Sequence, residues 1–510
     1  MKKNMKESSI INEESSNLIR GISISTFLNN FGLIVYFIAR EILLYNMLNK
    51  ADASNFTVFL GLMDVFVSLV IITPAVLPKI FPEMNKNKIN IINKTVLFIL
   101  VLNYFLISSI IFILTIFGVE FNLTLNLNDI YLFLILSIGF IGESIKNTIA
   151  SIFYGLKKPK EPAILKVIFA FLFIILMFFF KLIKMLNFDT IVLTFILSDV
   201  IYIIISIFFY RKISLDLNIQ NNAESFNSEI TKRILLFSYP LCLTRIFVLL
   251  SSKVGTVVLA GISMNYSVYY HLSTSLVIFI IGFIGYPIQS NVQTYLSEFY
   301  ENGNISQVRN TYHLIITIII FFLIPILIIL YGLIPLVIKI LYNNYYNTEF
   351  ITLFKIVILG GSFYSLNVLF NRIIIAKGKP KVILISQFFS GMISIFFIGI
   401  SLFTRNLIYT GIGFITSNIV MFVIFCYYSK KYTNLTIKEM KFFPIIFIFY
   451  ISIFIYELVY LIIKNMYIST IISILIFFLL IIILRVGSIA TVKNILNIIN
   501  PLKKPKSYKN

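Results

Sequence analysis

Two basic residues lie inside one long apolar stretch, where an ionised side chain needs a specific physical reason to be present. Arg245 and Lys253 are eight positions apart, which places their side chains about 80° apart around an ideal helix. Thr244 and Thr256 in the same stretch suit a surface that lines water. Because arginine can bind two phosphate oxygens at once, the segment is a candidate anion site. The alternatives are a structural ion pair for Arg245 and a Lys253 side chain that extends to water.

The first apolar stretch of the chain offers polar residues that could complete such a site. Asn29 and Asn30 lie within it, and Arg40 lies near its end. If the two stretches face each other, Arg40 and Asn30 join Arg245 and Lys253 around one cationic cavity. These four residues are therefore our candidates for binding an anionic substrate.

Two carboxylates are also placed inside apolar stretches. Asp64 interrupts the sequence GLMDVFVS, and Asp199 interrupts FILSDVIY. A carboxyl group in apolar surroundings can bind and release a proton near neutral pH, and it can also bind a small cation. Asp64 and Asp199 are thus candidates for binding a coupling ion, either H⁺ or Na⁺.

Other charged residues in apolar stretches have simpler explanations. Glu143 and Lys146 are three positions apart, so they share a helical face and are expected to neutralise each other. Lys166 and Lys355 lie near the ends of their stretches, and we expect both side chains to extend to water.

Residues for catalysis or metal binding do not form a recognisable pattern. His271 and His313 are far apart and lack metalloprotease spacing, and Cys242 and Cys426 form neither a disulfide framework nor a metal motif. A phosphate-binding G-x-x-x-x-G-K-[ST] loop is absent. We therefore expect no enzymatic activity, no catalytic residue, no metal site and no cofactor.

The composition identifies the elements that must position these residues. Of the 510 residues, 59% are hydrophobic and only 12% are charged, which predicts an all-α polytopic membrane protein. The net charge of +21 comes from lysines in short loops, which indicates membrane topology and no binding of nucleic acid. About fourteen transmembrane helices are predicted, at 20–43, 56–77, 94–117, 129–153, 162–183, 189–209, 233–257, 265–288, 312–331, 350–371, 382–404, 407–428, 442–463 and 467–485.

The distribution of basic residues predicts the orientation of these helices. Loops on one side of the membrane carry most of the Lys and Arg, and the positive-inside rule places that side in the cytoplasm. Both termini are then cytoplasmic, and the protein lies in the cytoplasmic membrane. The segment 332–349 is the longest predicted outer segment, and it is short and largely apolar.

Two nearly identical basic turns predict an internal duplication. GLKKPK occupies 155–160 and AKGKPK occupies 376–381, each between two apolar stretches and six predicted helices apart. Because six is even, the copies face the same way, as two six-helix lobes. The alternative is that short cytoplasmic loops resemble each other by composition alone.

The predicted divisions are a cytoplasmic tail (1–19), a first lobe (20–210), a cytoplasmic linker (211–232), a second lobe (233–428), two further transmembrane helices (429–487) and a basic cytoplasmic tail (488–510).

Three stretches resemble a known family at corresponding places. LLFSYPLCLTRIFVLLSSKVGTVVLAGISMNYSVYY (235–270) resembles the start of the second lobe in the polysaccharide (Wzx-type) flippases of the MATE-like multidrug/oligosaccharidyl-lipid/polysaccharide exporter superfamily. SNVQTYLSEFYENGN (290–304) is similar to the following helix end and acidic loop. LNKADASNFTVFLGLMDVF (48–66) resembles the corresponding turn of the first lobe, without its usual glycine.

The resemblance implies a MATE-like fold, a cationic central cavity and a flippase activity. Such a flippase moves a polyprenyl-(pyro)phosphate-linked oligosaccharide across the membrane for cell-surface polysaccharide or glycoprotein glycan assembly, by alternating access of two lobes. Its partners would be the lipid-linked oligosaccharide, membrane lipids and glycan-assembly enzymes. The alternatives are a cation-coupled multidrug exporter of the same fold and a lipid II flippase. A membrane glycosyltransferase or polymerase is less favoured, because such proteins usually carry a sizeable outer loop or domain.

Overall fold

The computed structural model describes residues 27–68, 77, 89–116, 129–156, 158, 160–216, 228–252, 254–301, 303–433 and 442–484. Every regular element in these residues is a helix. The first six are α1 (Phe27–Met47), α2 (Lys50–Ser68), α3 (Ile89–Ile116), α4 (Asp129–Gly155), α5 (Lys160–Leu182) and α6 (Phe188–Asp216). They are followed by α7 (Ser228–Ser252), α8 (Val254–Ala260), α9 (Met264–Glu301), α10 (Ile305–Ile318), α11 (Ile324–Leu341), α12 (Thr348–Ala376), α13 (Pro380–Thr404), α14 (Ile408–Thr433), α15 (Phe442–Ile463) and α16 (Met466–Ile483).

The prediction of an all-α polytopic membrane fold is confirmed. A helix overlaps each of the fourteen predicted stretches. Eleven helices in the described part of the chain are long and apolar enough to cross a membrane. A helix satisfies its own backbone hydrogen bonds, which is the requirement that hydrocarbon imposes on a spanning segment. The count of fourteen spans remains a prediction.

Some boundaries differ from the predicted ones. The predicted outer segment 332–349 is largely helical, because α11 continues through apolar residues as far as Leu341. Helices also extend into the predicted linker 211–232, since α6 ends at Asp216 and α7 begins at Ser228. In both places helical structure continues past the point where hydropathy alone suggested a break.

The helices of the two predicted lobes pack in the same pairs. In the first lobe α1 contacts α5, α2 contacts α4, α4 contacts α6, and α5 contacts α6. Six predicted spans later, α7 contacts α13, α9 contacts α12, α12 contacts α14, and α13 contacts α14. This agreement supports the proposed duplication.

The two basic turns also have the same backbone hydrogen bond. The N–H of Lys158 donates to the carbonyl of Phe153 at 2.9 Å, and the N–H of Lys379 donates to that of Ile374 at 3.1 Å. A bond to the carbonyl five residues earlier is typical of the Schellman motif, which ends helices with a left-handed residue. In the second turn that residue is Gly378, with φ of +74°.

The first of the two C-terminal helices, α15, packs against the second lobe through polar contacts. Lys355 Nζ of α12 lies 2.8 Å from Glu457 Oε1 of α15, and the Tyr331 hydroxyl of α11 donates to the same oxygen at 2.8 Å. The Tyr456 hydroxyl donates to the Gly332 carbonyl at 3.0 Å. Lys355 is therefore paired with a carboxylate, which differs from the expectation that it extends alone to water. The contact depends on a helix far along the chain.

Gly332→Ala should separate α16 from α11. A Cβ atom at position 332 would collide with Thr470 Oγ1, which is hydrogen-bonded to Met466, and would lie 2.9 Å from the Tyr456 ring. Overpacking of this kind costs about 1–3 kcal/mol, so the midpoint of thermal unfolding in detergent should fall. Gly399→Ala is the matched control, because nothing lies within 4 Å of its Cβ. Equal midpoints for the two variants would contradict the tight packing described for Gly332.

Candidate functional site

A polar cavity of about 360 Å³ is lined mainly by α1, α2, α4, α5 and α6 of the first lobe, and His271 of α9 in the second lobe is also part of its wall. Its wall includes the basic residues Arg40, Lys146 and Lys166 and the acidic residues Asp64 and Glu143. Charged groups at membrane depth are costly and usually face a water-filled cavity or one another. The cavity is therefore the candidate functional site.

Lys146 connects two carboxylates on one side of this cavity. Its Nζ lies 2.8 Å from Asp199 Oδ1 and also contacts the Glu143 carboxylate on its own helix. The ammonium lies 4.0 Å from the centroid of the Phe169 ring, within cation–π range. Asp199 is almost fully buried. Both carboxylates thus depend on one cation, and Asp199 has a structural partner as well as its predicted role in ion coupling.

A second charged cluster joins the two lobes. A π-helical segment of α1, Ile38–Leu43, carries Arg40 and Glu41 in sequence, and such segments are frequent at functional sites. Arg40 contacts Glu41 Oε1 through Nε at 2.7 Å and Nη2 at 2.5 Å. From the second lobe, His271 Nε2 of α9 lies 3.1 Å from Glu41 Oε2. The fully buried Glu41 carboxylate therefore contacts one basic group from each lobe.

Further contacts close the lobe interface at the same end of the bundle. The rings of Phe37 and Phe279 stack with centroids 4.0 Å apart. The Asn46 amide donates to the Leu341 carbonyl at 2.7 Å. These contacts and the Glu41–His271 contact define what we call the closed end. The predicted orientation places the closed end at the outer face of the membrane.

The predicted substrate-binding residues are not all brought together. Arg40 lines the polar cavity, whereas Asn30 and Arg245 are not part of its lining. Arg245 is half-buried in α7 and has no ion pair with any residue that the structure describes. Lys253 lies outside the described residues. Of the two ion-coupling candidates, Asp64 lines the cavity, and Asp199 lies behind it on Lys146.

Three residues of the site were not predicted from the sequence. Lys166 contacts the Asn29 side-chain oxygen at 3.3 Å, and within the described part of the chain it has no carboxylate partner. It turns into the cavity, although its place near a helix end suggested that it would extend to water. Glu41 and His271 were also not predicted to be functional residues. The adjacent charges of the sequence AREIL were the available signal for Glu41, and nothing local marked His271.

Comparison with solved structures identifies the fold. A mutant of the MATE transporter VcmN from Vibrio cholerae superposes with a TM-score of 0.60 at 13% identity, over 83% of this chain and 98% of its own. The lipid II flippase MurJ, in an inward closed conformation, superposes with a TM-score of 0.61 at 17% identity, over 91% of this chain and 98% of its own. A transporter of the MOP superfamily from Pyrococcus furiosus, described as having a binding pocket of reverse polarity, has a TM-score of 0.58 at 16% identity, over 83% and 96%.

These structures share one class of fold, that of the MATE transporters and the MurJ flippase, and the present chain has this fold. No protein-family model and no curated protein sequence matches the chain. The resemblance is therefore one of architecture.

Proposed function

We propose that the protein is a flippase that moves a polyprenyl-(pyro)phosphate-linked oligosaccharide across the cytoplasmic membrane, with both termini in the cytoplasm. The observation that carries this proposal is the polar cavity at membrane depth with Lys166 in its wall. Lys166 is a cation without a carboxylate partner in the described residues, so it remains available to an anionic group. A phosphate is such a group, and a lysine ammonium binds it as a point charge.

The other polar groups of the cavity suit the sugar part of such a substrate. Asn147 and Glu143 are hydrogen-bonded to each other at 3.1 Å, and both line the cavity together with Tyr154. Carboxylates accept hydrogen bonds, amides donate and accept them, and sugar hydroxyls can do both. The cavity thus offers partners for both hydroxyl groups and phosphate.

The closed end supports alternating access of two lobes. Transport requires this end to open, so the contacts between Glu41 and His271 and between Phe37 and Phe279 must separate during each cycle. Opening would leave Glu41 paired with Arg40 alone, within the first lobe. The charge of Glu41 is then compensated in both states, which keeps the energetic barrier to opening low.

Two alternatives keep the same fold. A cation-coupled multidrug exporter would use Asp64 or Asp199 to bind its coupling ion, and Glu143 in the cavity wall could bind a cationic substrate. A lipid II flippase would use the cavity for a related pyrophosphate substrate, and MurJ covers a larger share of this chain than the MATE structures do. The transported molecule decides between them. Deletion should leave lipid-linked oligosaccharide on the cytoplasmic side if the proposal holds, and drug sensitivity with normal surface glycan would favour the exporter.

Substitutions at Lys166 test the role of the cavity. Lys166→Glu should abolish flipping and Lys166→Ala should lower it about 10- to 100-fold, because a hydrogen bond to a charged group contributes about 1.5–3 kcal/mol. Lys166→Arg should retain part of the activity. Surface glycan and membrane abundance would be measured together in each strain. The control is Lys181→Glu, which lies at the exposed end of the same helix.

Arg245→Glu, Arg245→Ala and Arg245→Lys, measured in the same way, decide which cation binds the substrate. Graded loss of glycan at Lys166 with normal abundance supports the first-lobe cavity as the site. The reverse ranking, with normal glycan in Lys166→Glu and loss in Arg245→Glu, would move the site to α7. Loss of abundance at either position would indicate a structural role for that residue.

A further inference from the structure

A second cavity of about 500 Å³ lies on the opposite face of α4, between α3, α4 and α6. Glu143 and Lys146 face the polar cavity, whereas Ile141, Ile145 and Ile149 line this second one. The remaining wall is mostly aliphatic and aromatic. We call it the apolar cavity. A single helix therefore separates a charged compartment from a hydrocarbon-like one.

One polar group in the apolar cavity has no partner. Asn103 of α3 is only 4% exposed and lines the cavity. Its amide nitrogen has no hydrogen-bond partner among the described residues. The hydroxyls of Ser144, Thr148 and Ser206 in the same wall instead donate to carbonyls of their own helices. A buried donor without an acceptor is rare in native proteins and requires an explanation.

The apolar cavity is accessible from the lipid side of the bundle. Val101 of α3 and Ile207 of α6 line it and are 47% and 44% exposed, and Phe105 and Phe208 on the same two helices, which do not line it, are each 65% exposed. Water is absent from the hydrocarbon region, and apolar cavities stay dry even when they are large. Hydrocarbon is therefore the material that can enter.

The second lobe shows what occupies the equivalent position there. Ile141 of the cavity wall corresponds to Ser362 by the spacing of the two basic turns. On this face of α12, the Tyr450 hydroxyl of α15 donates to the Leu359 carbonyl at 3.2 Å, and its ring packs 6.0 Å from that of Phe363. A helix with both apolar surface and a hydrogen-bonding group thus covers in the second lobe what is a cavity in the first.

We infer that the apolar cavity is a binding site for an uncharged, mainly hydrocarbon molecule that carries one hydrogen-bond acceptor, such as a ketone or ester oxygen. The acceptor would receive the unused N–H of Asn103. A cavity of 150 Å³ holds a benzene molecule, so one about three times larger holds roughly 15–20 carbon atoms. The bound molecule is either a chain of a bilayer lipid or a free amphiphile of the same chemistry. The site does not depend on the proposed flippase activity.

Tryptophan fluorescence tests the inference without background, because the chain contains no tryptophan. Phe140→Trp places the reporter in the cavity wall at a position that is 1% exposed. Phe105→Trp is the lipid-exposed reference, and Phe354→Trp is a fully buried reference away from the apolar cavity. Each purified full-length variant would be placed in vesicles of brominated phosphatidylcholine, whose chains quench tryptophan on contact. Circular dichroism and size-exclusion profiles confirm that each variant is folded, and Tyr104→Trp in the same wall replaces Phe140→Trp if that variant misfolds.

A competition experiment distinguishes a bilayer lipid chain from a free amphiphile and tests the role of Asn103. A long-chain symmetrical ketone, or the alkane of equal length, is added to the Phe140→Trp protein in brominated vesicles. The ketone should restore fluorescence at a concentration about five- to tenfold lower than the alkane does, because it gains one neutral hydrogen bond. Asn103→Leu should remove this difference and leave the quenching itself intact.

Quenching of Phe140→Trp to the level of Phe105→Trp, with Phe354→Trp protected, supports a bilayer lipid chain as the occupant. A protected Phe140→Trp whose emission responds to the ketone supports a free amphiphile. A protected Phe140→Trp that responds to neither additive would overturn the site. A ketone preference that survives Asn103→Leu would overturn the assignment of the acceptor to Asn103.

Discussion

Lys146→Met is expected to remove most of the folded protein from the membrane. Lys146 is the cation shared by Asp199, which is almost fully buried, and Glu143. Breaking a buried ion pair by removing one partner costs about 3–5 kcal/mol, a large fraction of the stability of a protein. Membrane abundance by immunoblot and the thermal-unfolding midpoint in detergent are the measurements. Lys181→Met, at the exposed end of a neighbouring helix, should leave both unchanged.

Neutralising the partners tests whether charge is the cause. Lys146→Met combined with Asp199→Asn and Glu143→Gln should recover much of the lost abundance, because the carboxylates no longer need a cation. Asp199→Asn alone should be mild, since Glu143 keeps Lys146 paired. If that variant also transports normally at every pH, Asp199 does not bind a coupling ion. Normal abundance of Lys146→Met would show that the network is dispensable.

Glu41→Gln is expected to loosen the closed end and to lower transport at least about tenfold, because a charge-assisted contact between the lobes is lost. The uncharged amide leaves Arg40 without its carboxylate and weakens the contact to His271. His271→Phe removes the same contact between the lobes and leaves the Arg40–Glu41 pair intact, so it should lower transport by a similar factor. Comparison of these two variants distinguishes a latch between lobes from a requirement for the Arg40 pair alone.

A chemical cross-link measures the closed end directly. Cysteines replacing Asn46 and Asn343, in a background without Cys242 and Cys426, would be joined by a short bifunctional maleimide. Asn46 contacts the second lobe at Leu341, two residues before Asn343. Cross-linking should fall in Glu41→Gln relative to the unsubstituted background. Unchanged cross-linking together with lost transport would refute the latch and assign Glu41 to another step.

The helices were predictable from the sequence because the membrane imposes their length and composition. A stretch of about 20 apolar residues must be helical in hydrocarbon, whatever its neighbours are. The basic turns were equally predictable, since a glycine such as Gly378 and the lysines around it determine the end of the helix through local contacts alone. Segment 332–349 shows the limit of this reasoning. It continues as helix to Leu341 because apolar residues persist there, and hydropathy does not mark where a helix leaves the membrane.

The pairing of charges was predictable only where it was local. Glu143 and Lys146 share a helical face, so their contact follows from spacing. Asp199 joins the same lysine from 53 positions away, and His271 reaches Glu41 from 230 positions away. Such pairs depend on how helices rotate when they pack, and that rotation cannot be inferred from the local spacing of residues in one sequence. For the same reason the sequence grouped Arg245 with Arg40, whereas Arg245 is not part of the lining of the polar cavity.

The contact between Lys355 and Glu457 has a consequence for the evolution of such a chain. A shortened descendant that lost α15 and α16 would leave the Lys355 ammonium facing lipid, at a cost of about 2.5–3.5 kcal/mol on insertion scales. Tyr331 would lose the acceptor for its hydroxyl in the same event. Loss of α15 and α16 would therefore destabilise the rest of the protein. A neutral residue in place of Lys355 would remove this cost, so we expect that substitution to precede any loss of α15 and α16.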